Sequence, residues 1–208
     1  MIRRLTIFSA LLPSLAIAQG AAPAQVSQAA SVVRTLPTWK IDVAHSELSF
    51  TIRHMVSKVR GQFDEWSGSI AADPADWSTA SVEVVAQTSS INTNNESRDA
   101  DLRSENHFDA DRNPTVTFRS TRVTRLPGDS VAVAGNLTIH GITRPVVLRA
   151  HLTGITGVPG KRRAGFEAET TINRQDFNMT WNRVVEGTSM LGDEVKIEIA
   201  IAAVEQSQ

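Results

Sequence analysis

Five histidines are the side chains in this sequence best suited to bind a metal ion or to transfer a proton. Metal sites typically pair histidines four residues apart on a helix or closely along a strand, and no pair here has that spacing. The best metal candidate is His107-x-Asp109-x-Asp111. A solvated loop beside Pro114 explains these charges more simply, so we expect no metal site. The five are His45, His54, His107, His140 and His151.

Motifs that resemble catalytic or phosphate-binding loops are incomplete. Gly187–Leu191 approaches the nucleophile elbow of hydrolases, but Leu191 stands where a second glycine is required. Gly157–Lys161 lacks the earlier glycine, at position 155, and the following Ser or Thr of a phosphate-binding loop. Because cysteine is absent, disulfides, lipoprotein acylation, thiol catalysis and cysteine-ligated metal centres are excluded. We therefore expect no catalytic residues, no cofactor and no enzyme activity.

The N-terminus has the layout of a secretory signal peptide. Basic Met1–Arg4 precedes the apolar run Leu5–Ile17, and Ala16–Ala18 has the small residues of a cleavage site. The run is too short to span a bilayer permanently. We expect residues 1–18 to be removed, with cleavage after Gly20 or Ala24 as alternatives to Ala18. The mature protein is then periplasmic or secreted; an uncleaved anchor is the alternative.

The remaining chain suits one folded domain behind a flexible leader. Residues 19–38 are rich in Ala, Gln, Ser and Pro without periodicity, which is typical of a flexible segment. The formal net charge is −1, and it falls to −3 once Arg3 and Arg4 leave with the signal peptide. Such a mild charge gives no electrostatic basis for binding nucleic acid. The domain itself is expected over residues 39–204.

From Trp39 onward, apolar and polar residues alternate with the period of β-strands. One face is apolar, and the other is rich in Thr, Glu, Lys and Arg. About eight strands are separated by turn-forming residues at 73–74, 127–129, 140–141 and 157–160. This pattern predicts an all-β, closed antiparallel barrel, with a sandwich as the alternative. The parity of the pattern changes at Val59, so we expect a bulge or bend near Lys58.

One segment, residues 97–109, interrupts the alternation and predicts a short helical insertion. Ser97 is suited to cap a helix. Leu102 and Phe108 are its apolar anchors, and their separation favours two short helical pieces over one helix. Pro114 ends the insertion and returns the chain to strand. We expect a plug that closes one end of the β-structure.

Five motifs spread over the chain also occur together in one protein family. They are Trp39-x-Ile41-Asp42-x-x-His45-Ser46, Arg98-Asp99-x-x-Leu102-Arg103-Ser104, Gly135-x-Leu137-Thr138-Ile139-His140-Gly141, Ile172-Asn173-Arg174-x-Asp176-Phe177 and Gly192-Asp193-Glu194-Val195. This combination resembles the YceI-like family between about Trp39 and Val204. The resemblance implies a periplasmic or secreted, lipocalin-like barrel that binds a polyisoprenoid or another long-chain amphiphile. Ala100 and Asn106 depart from the family pattern, which usually has His and Asp there.

Small residues on the inward face leave open whether the barrel is packed or hollow. Gly135, Ala86, Ala150 and Ala168 fit either the taper of a solid barrel or a tunnel. The family resemblance favours the tunnel. Its expected lining is Phe50, Ile52, Val84, Phe118, Leu137, Leu148, Phe166, Ile172 and Ile197.

Three polar residues on the inward parity are candidates to contact a ligand head group. They are His54, Arg122 and Arg174. Both arginines lie at strand ends, where the barrel opens, and a guanidinium binds phosphate in a planar fork. The alternative role for each arginine is a salt bridge at the rim of the barrel.

These observations predict an exported carrier that holds a long-chain amphiphile, such as a polyisoprenoid, an isoprenoid quinone or a fatty-acid derivative. A packed structural or stress-protective barrel and a lipid-modifying hydrolase are the alternatives. The expected partner is the lipid itself. Membrane contact is expected to be transient at most, and a homodimer is compatible with the sequence.

Overall fold

The computed structural model describes residues 35–185 and 187–207. The predicted signal peptide and most of the predicted leader lie outside these residues. No helix within them has the length and apolar composition needed to cross a membrane. The regular elements are β1 Thr38–Ile41, β2 Glu47–His54, β3 Ser57–Phe63, β4 Trp66–Asp73, β5 Asp76–Gln87, β6 Ile91–Asn92, α1 Glu96–Arg103, β7 Thr115–Arg125, β8 Ser130–Ile139, β9 Ile142–Thr156, β10 Arg163–Asn173, β11 Val184–Val185, β12 Thr188–Ser189 and β13 Leu191–Glu205, with 3-10 helices Val43–His45, Thr88–Ser90 and Arg174–Phe177.

Eight antiparallel strands close into a barrel in the order β1-β4-β5-β7-β8-β9-β10-β13. The ring closes where β1 pairs with the end of β13, Trp39 opposite Glu205. Earlier residues of β13 pair instead with β2, where Ile197 lies opposite Phe50. Strands β3 and β6 then extend the sheet beyond β2. The predicted closed antiparallel barrel is confirmed, and the sandwich alternative is wrong because the ring has no open edge between β1 and β13.

Strand alternation places the apolar face inside, as β13 illustrates. Ile197, Ile199 and Ile201 face the interior, whereas Lys196 on the other parity forms an outer ion pair with Glu169 at 3.0 Å. Every predicted turn lies between two strands of the barrel or at the end of one. The pattern therefore predicted the strands and, apart from the part of β7 after Ser120, the face that each one buries.

Of the bulge or bend expected near Lys58, the bulge is wrong, because the chain reverses there in a tight turn. Met55 and Val56 form a two-residue turn between β2 and β3, which pairs Ile52 with Val59 and Phe50 with Gly61. A tight turn of two residues carries the even-numbered face of β2 into the odd-numbered face of β3. The change of parity is therefore the signature of a hairpin.

The predicted insertion forms one helix followed by turns. Asn95, and not Ser97, caps α1, since its side chain accepts a hydrogen bond from the backbone N–H of Arg98 at 3.0 Å. The second helical piece is absent: residues 104–113 fold as turns, with Phe108 N donating to Leu102 O at 3.0 Å.

The end of the barrel away from α1 is closed by aromatic rings and one ion pair. Trp39 is fully buried and packs against Trp77, with ring centroids 5.4 Å apart, and Trp77 meets Phe166 edge to face at 4.8 Å. Arg162 lies over the Trp39 ring and donates from Nε to Oε2 of buried Glu205 at 2.8 Å. These contacts leave the plug end as the accessible end of the barrel.

Replacing Glu205 with glutamine should destabilise the barrel at neutral pH and flatten its acid response. The hydrogen bonds from Arg162 lower the pKa of Glu205 from 4.5 to about 2. A depressed pKa contributes stability above pH 4.5 that is lost as the pH falls toward 2. We expect Glu205→Gln to cost about 1–3 kcal/mol in chemical denaturation at pH 7, with a smaller loss on acidification than wild type. Exposed Glu167→Gln is the control; equal behaviour of the two variants would contradict the role of the pair.

Candidate functional site

A cavity of about 310 Å³ occupies the barrel interior, with its walls made almost entirely of apolar side chains. The inward faces of β2, β5, β7, β8, β9, β10 and β13 all contribute. Between Leu191 and Ile201, β13 alone follows the cavity for roughly 33 Å of strand. All nine residues predicted to line a tunnel lie in this wall: Phe50, Ile52, Val84, Phe118, Leu137, Leu148, Phe166, Ile172 and Ile197.

The small inward residues divide into two groups. Ala86, Ala150 and Ala168 line the cavity and leave volume in it. The glycines instead receive aromatic rings: a Cβ on Gly135 would lie 2.5 Å from the Phe118 ring, and Gly61 is filled in the same way by Phe50. The expectation that Gly135 leaves tunnel volume is therefore wrong, because the ring of Phe118 covers it.

Ionisable groups in the cavity wall gather at the plug end. Arg98 and Asp101 are three residues apart on α1 and so lie on one face of the helix, together with Leu102. His107, from the turns after α1, His54, from the end of β2, and Arg174, just after β10, complete the group. The cavity is thus amphipathic, apolar along the barrel and polar beneath the plug.

His107 is buried between the plug and the segment that follows β10. Its side chain is 7% exposed, its Nε2 lies 3.3 Å from Oδ2 of Asp101, and its ring packs on Trp181 at 4.9 Å. Burial lowers the pKa of His107, because removal from water disfavours the imidazolium, and the charge of Arg174 adds to this; Asp101 opposes both. At neutral pH the ring is therefore an uncharged hydrogen-bonding group that faces the cavity.

Arg98 is held in place by Thr93, the residue that follows β6. Its Nε donates to Oγ1 of Thr93 at 2.8 Å and its Nη2 to the Thr93 carbonyl at 2.9 Å. Thr93 in turn donates to buried Asp99 from its N–H at 2.9 Å and its hydroxyl at 2.5 Å. Nη1 of Arg98 makes no hydrogen bond within the described residues, so the guanidinium retains donors for a ligand.

Arg174 lies in the cavity wall, as predicted for a head-group residue, but nearly all its donors are used inside the protein. Nε donates to Gly192 O at 2.9 Å, Nη2 donates to Asp193 at 3.0 Å, and Nη1 donates to the carbonyls of Met179 and Trp181. The residue is 4% exposed. Arg174 therefore ties Met179 and Trp181 to the start of β13, and its pair with Asp193 is the salt-bridge alternative.

The sequence pattern assigned Arg122 to the wrong face of β7. The pairing of β7 with β8 shifts between Ser120 and Arg122, and this irregularity exchanges the two faces of β7. As a result Val123 lines the cavity, while Arg122 is exposed on the outer surface. Of the three head-group candidates, His54 alone combines a place in the cavity wall with a ring that makes no hydrogen bond among the described residues.

The plug anchors lie where the sequence predicted them. Leu102 and Phe108 both line the cavity, and Phe108 meets Phe63 of β3 edge to face at 6.0 Å. The metal candidate is dispersed, since His107 turns inward and Asp109 pairs with Arg112 at 3.4 Å. Among the described residues, no three His, Asp or Glu side chains form a group that would hold a metal ion.

Sequence reasoning missed most of the polar end. Arg98, Asp101, His107, Trp181 and Met190 line the cavity, and none was predicted as a site residue. For Arg98 and Asp101 a signal existed, because their helical spacing places them beside Leu102. The other three come from irregular segments, for which periodicity carries no signal.

Comparison with known proteins identifies relatives across bacteria. The YceI-like domain matches residues 39–203. A UPF0312 protein of Pseudomonas paraeruginosa is 39% identical over 145 residues, covering 68% of this chain and 75% of the relative. A UPF0312 protein of Staphylococcus aureus is 37% identical over 167 residues, covering 78% and 95%.

Solved structures share the barrel. The YceI protein of Campylobacter jejuni superposes with a TM-score of 0.66 at 30% identity, covering 74% of this chain and 90% of that one. Burkholderia cenocepacia BcnA gives 0.68 at 24% identity, covering 78% and 98%. A polyisoprenoid-binding domain from Saccharophagus degradans gives 0.61 at 14% identity, covering 83% and 99%. With its matched domain spanning nearly the whole barrel, the chain belongs to the YceI-like family.

Proposed function

We propose that this protein is an exported carrier that holds a long-chain amphiphile, with a polyisoprenoid chain as the first choice. The observation that carries the proposal is the amphipathic cavity, which is long, apolar along the barrel and polar under the plug. The Saccharophagus degradans domain is described as polyisoprenoid-binding, and it shares this fold. The signal-peptide-like N-terminus supports a periplasmic or secreted location.

The energetics of an apolar tail favour transfer or sequestration through water. Each buried methylene is stabilised by about 0.8 kcal/mol relative to water, so a tail of a few isoprene units gains more than ~10 kcal/mol before ordering costs. A bilayer offers nearly the same stabilisation, because it is already apolar. The tail is therefore much more stable in the protein than in water, but scarcely more stable there than in a membrane. An exchange carrier requires this balance.

The polar end favours a head group that accepts and donates hydrogen bonds without a large negative charge. Uncharged His107 faces the cavity together with the His54 ring and the donors of Arg98. The carboxylate of Asp101 also faces the cavity and repels a pyrophosphate. A hydroxyl or carbonyl head group suits this mixed set best.

A binding role accounts for the site better than catalysis does. The Thr93 hydroxyl donates to Asp99 and accepts from Arg98, so it is not poised as a nucleophile. Native mass spectrometry of protein recovered from bacteria tests the proposal most directly. A co-purifying prenyl lipid is the expected result, and a bare mass that stays bare after incubation with octaprenol would favour a packed structural barrel.

Filling the cavity should abolish binding and leave the barrel folded. Ala168 lines the cavity, so Ala168→Phe places a ring in the space the tail would occupy. Ala200→Phe is the matched control, because Ala200 is exposed on the neighbouring strand. Overpacking a solid core costs about 1–3 kcal/mol, and occupying an empty cavity should cost less. Octaprenol binding measured by fluorescence competition should be lost only in Ala168→Phe; retained binding would exclude the tunnel.

Removing the plug anchor should accelerate ligand release. Phe108 is half-buried against Phe63, so Phe108→Ala should destabilise the protein by less than the ~3–5 kcal/mol typical of a fully buried ring. The dissociation rate of a bound prenol, measured by stopped-flow transfer to vesicles, should rise because the plug loosens over the cavity. An unchanged rate in a destabilised variant would show that ligand leaves by another route.

A further inference from the structure

Three exposed apolar side chains lie together at one corner of the plug end. Val56 is fully exposed, Val184 is 71% exposed and Met55 is 37% exposed. Backbone hydrogen bonds join their segments: Met55 N donates to Met190 O at 2.7 Å, and Met190 N donates to Arg183 O at 2.8 Å. We call Met55, Val56 and Val184 the apolar tip. The described residues expose seven large apolar side chains, so this clustering is not the even scatter expected on a surface.

The turn at the tip has side chains that its backbone does not favour. Met55 adopts a φ of 51°, a left-handed conformation that tight hairpin turns usually give to Gly or Asn. Val56 follows it, with a β-branched apolar side chain fully in water. Two apolar residues thus occupy a turn where polar or glycine residues would fold more readily. A local rule broken without a packing gain points to a role outside the fold.

Basic residues flank the tip. Arg53, Lys58 and Arg183 are exposed, and Nη1 of Arg53 donates to the carbonyl of Met55 at 3.2 Å, which holds its charge at the turn. The sequence segments 53–58 and 181–191 contain these three basic residues and a single acidic residue, Glu186. Exposed apolar residues bordered by positive charge are typical of surfaces that bind anionic membranes.

The tip adjoins the cavity. His54, Met190 and Leu191 line the cavity wall. His54 precedes Met55 in the chain, and the carbonyl of Met190 accepts a hydrogen bond from the backbone N–H of Met55. The same corner is therefore apolar toward solvent and forms part of the cavity wall inside. A tail that enters or leaves there would stay close to apolar side chains throughout.

We propose that the apolar tip inserts into the surface of an anionic phospholipid bilayer and sets the adjoining part of the cavity wall against it. Met55, Val56 and Val184 enter the interface, and Arg53, Lys58 and Arg183 contact the lipid phosphates. The contact is transient, because three side chains bury little area. This inference rests on the proposed function, because the purpose of docking is to load and unload the cavity. Its test does not require a lipid bound in the cavity.

Flotation with vesicles free of isoprenoids tests the docking alone. Wild-type protein should float with vesicles of phosphatidylcholine and phosphatidylglycerol, and less with phosphatidylcholine alone. Met55→Gly with Val56→Asn supplies residues that suit the turn, so its melting temperature should equal or exceed that of wild type. Its vesicle binding should nevertheless fall about tenfold or more, because the apolar insertion is lost.

Val147→Asn is the matched control. Val147 is 57% exposed on the outer wall of the barrel, away from the tip, so its removal should leave vesicle binding unchanged. Lys58→Gln and Arg183→Gln should each weaken binding to the anionic vesicles about fivefold and scarcely affect the neutral ones. Equal losses in Val147→Asn and the tip variant, or wild-type binding in the tip variant, would overturn the proposal.

Cargo binding is measured separately, with octaprenol in detergent and no vesicles present. The tip variant should still load octaprenol there, since its cavity wall is intact. Failure of wild type to load with normal flotation would count against the proposed function and not the docking. Normal loading with no flotation would count against the docking alone.

Discussion

The structure depends on the length of one strand. β13 spans Leu191–Glu205 and pairs with β10 along nearly its whole length on one side. On the other side it divides its hydrogen bonds between β2, near the plug, and β1, at the far end. A shorter strand would leave either the ring unclosed or β2 without a partner. Because β13 supports both, its inward face is also the longest continuous wall of the cavity.

The two ends of the barrel are closed by different kinds of interaction. The far end is sealed by the Trp39 cluster and the Arg162–Glu205 pair, which bury large apolar areas and a satisfied charge. The plug is held by hydrogen bonds that Thr93 donates to Asp99 and the backbone N–H of Arg98 donates to Asn95, with few apolar anchors. Hydrogen bonds exchange with water at little net cost, whereas buried aromatic area does not. The plug is consequently the end that can open.

Periodicity predicted the barrel well and its polar contacts poorly, for physical reasons. Alternation with a period of two follows directly from burial on one face, so the strands and the nine wall residues were readable from the sequence. A single irregularity between Ser120 and Arg122 reverses that alternation, and nothing in the local sequence marks it. Arg174 faces inward as its parity requires, yet nearly all its donors bind Asp193 and the carbonyls of Met179, Trp181 and Gly192. Parity tells which way a side chain points; it does not tell what the side chain meets.

The polar end and the apolar tip together explain how such a carrier would work near a membrane. The apolar wall stabilises a tail against water but scarcely against lipid, so the direction of transfer is set by the head group and by contact with the bilayer. His54 lies at the junction of these two features: its ring lines the cavity, and the next residue, Met55, begins the exposed turn. In the proposed docking, a tail crossing that junction would pass from bilayer to cavity without full exposure to water. The barrier to exchange would then be the opening of the plug rather than the hydration of the tail.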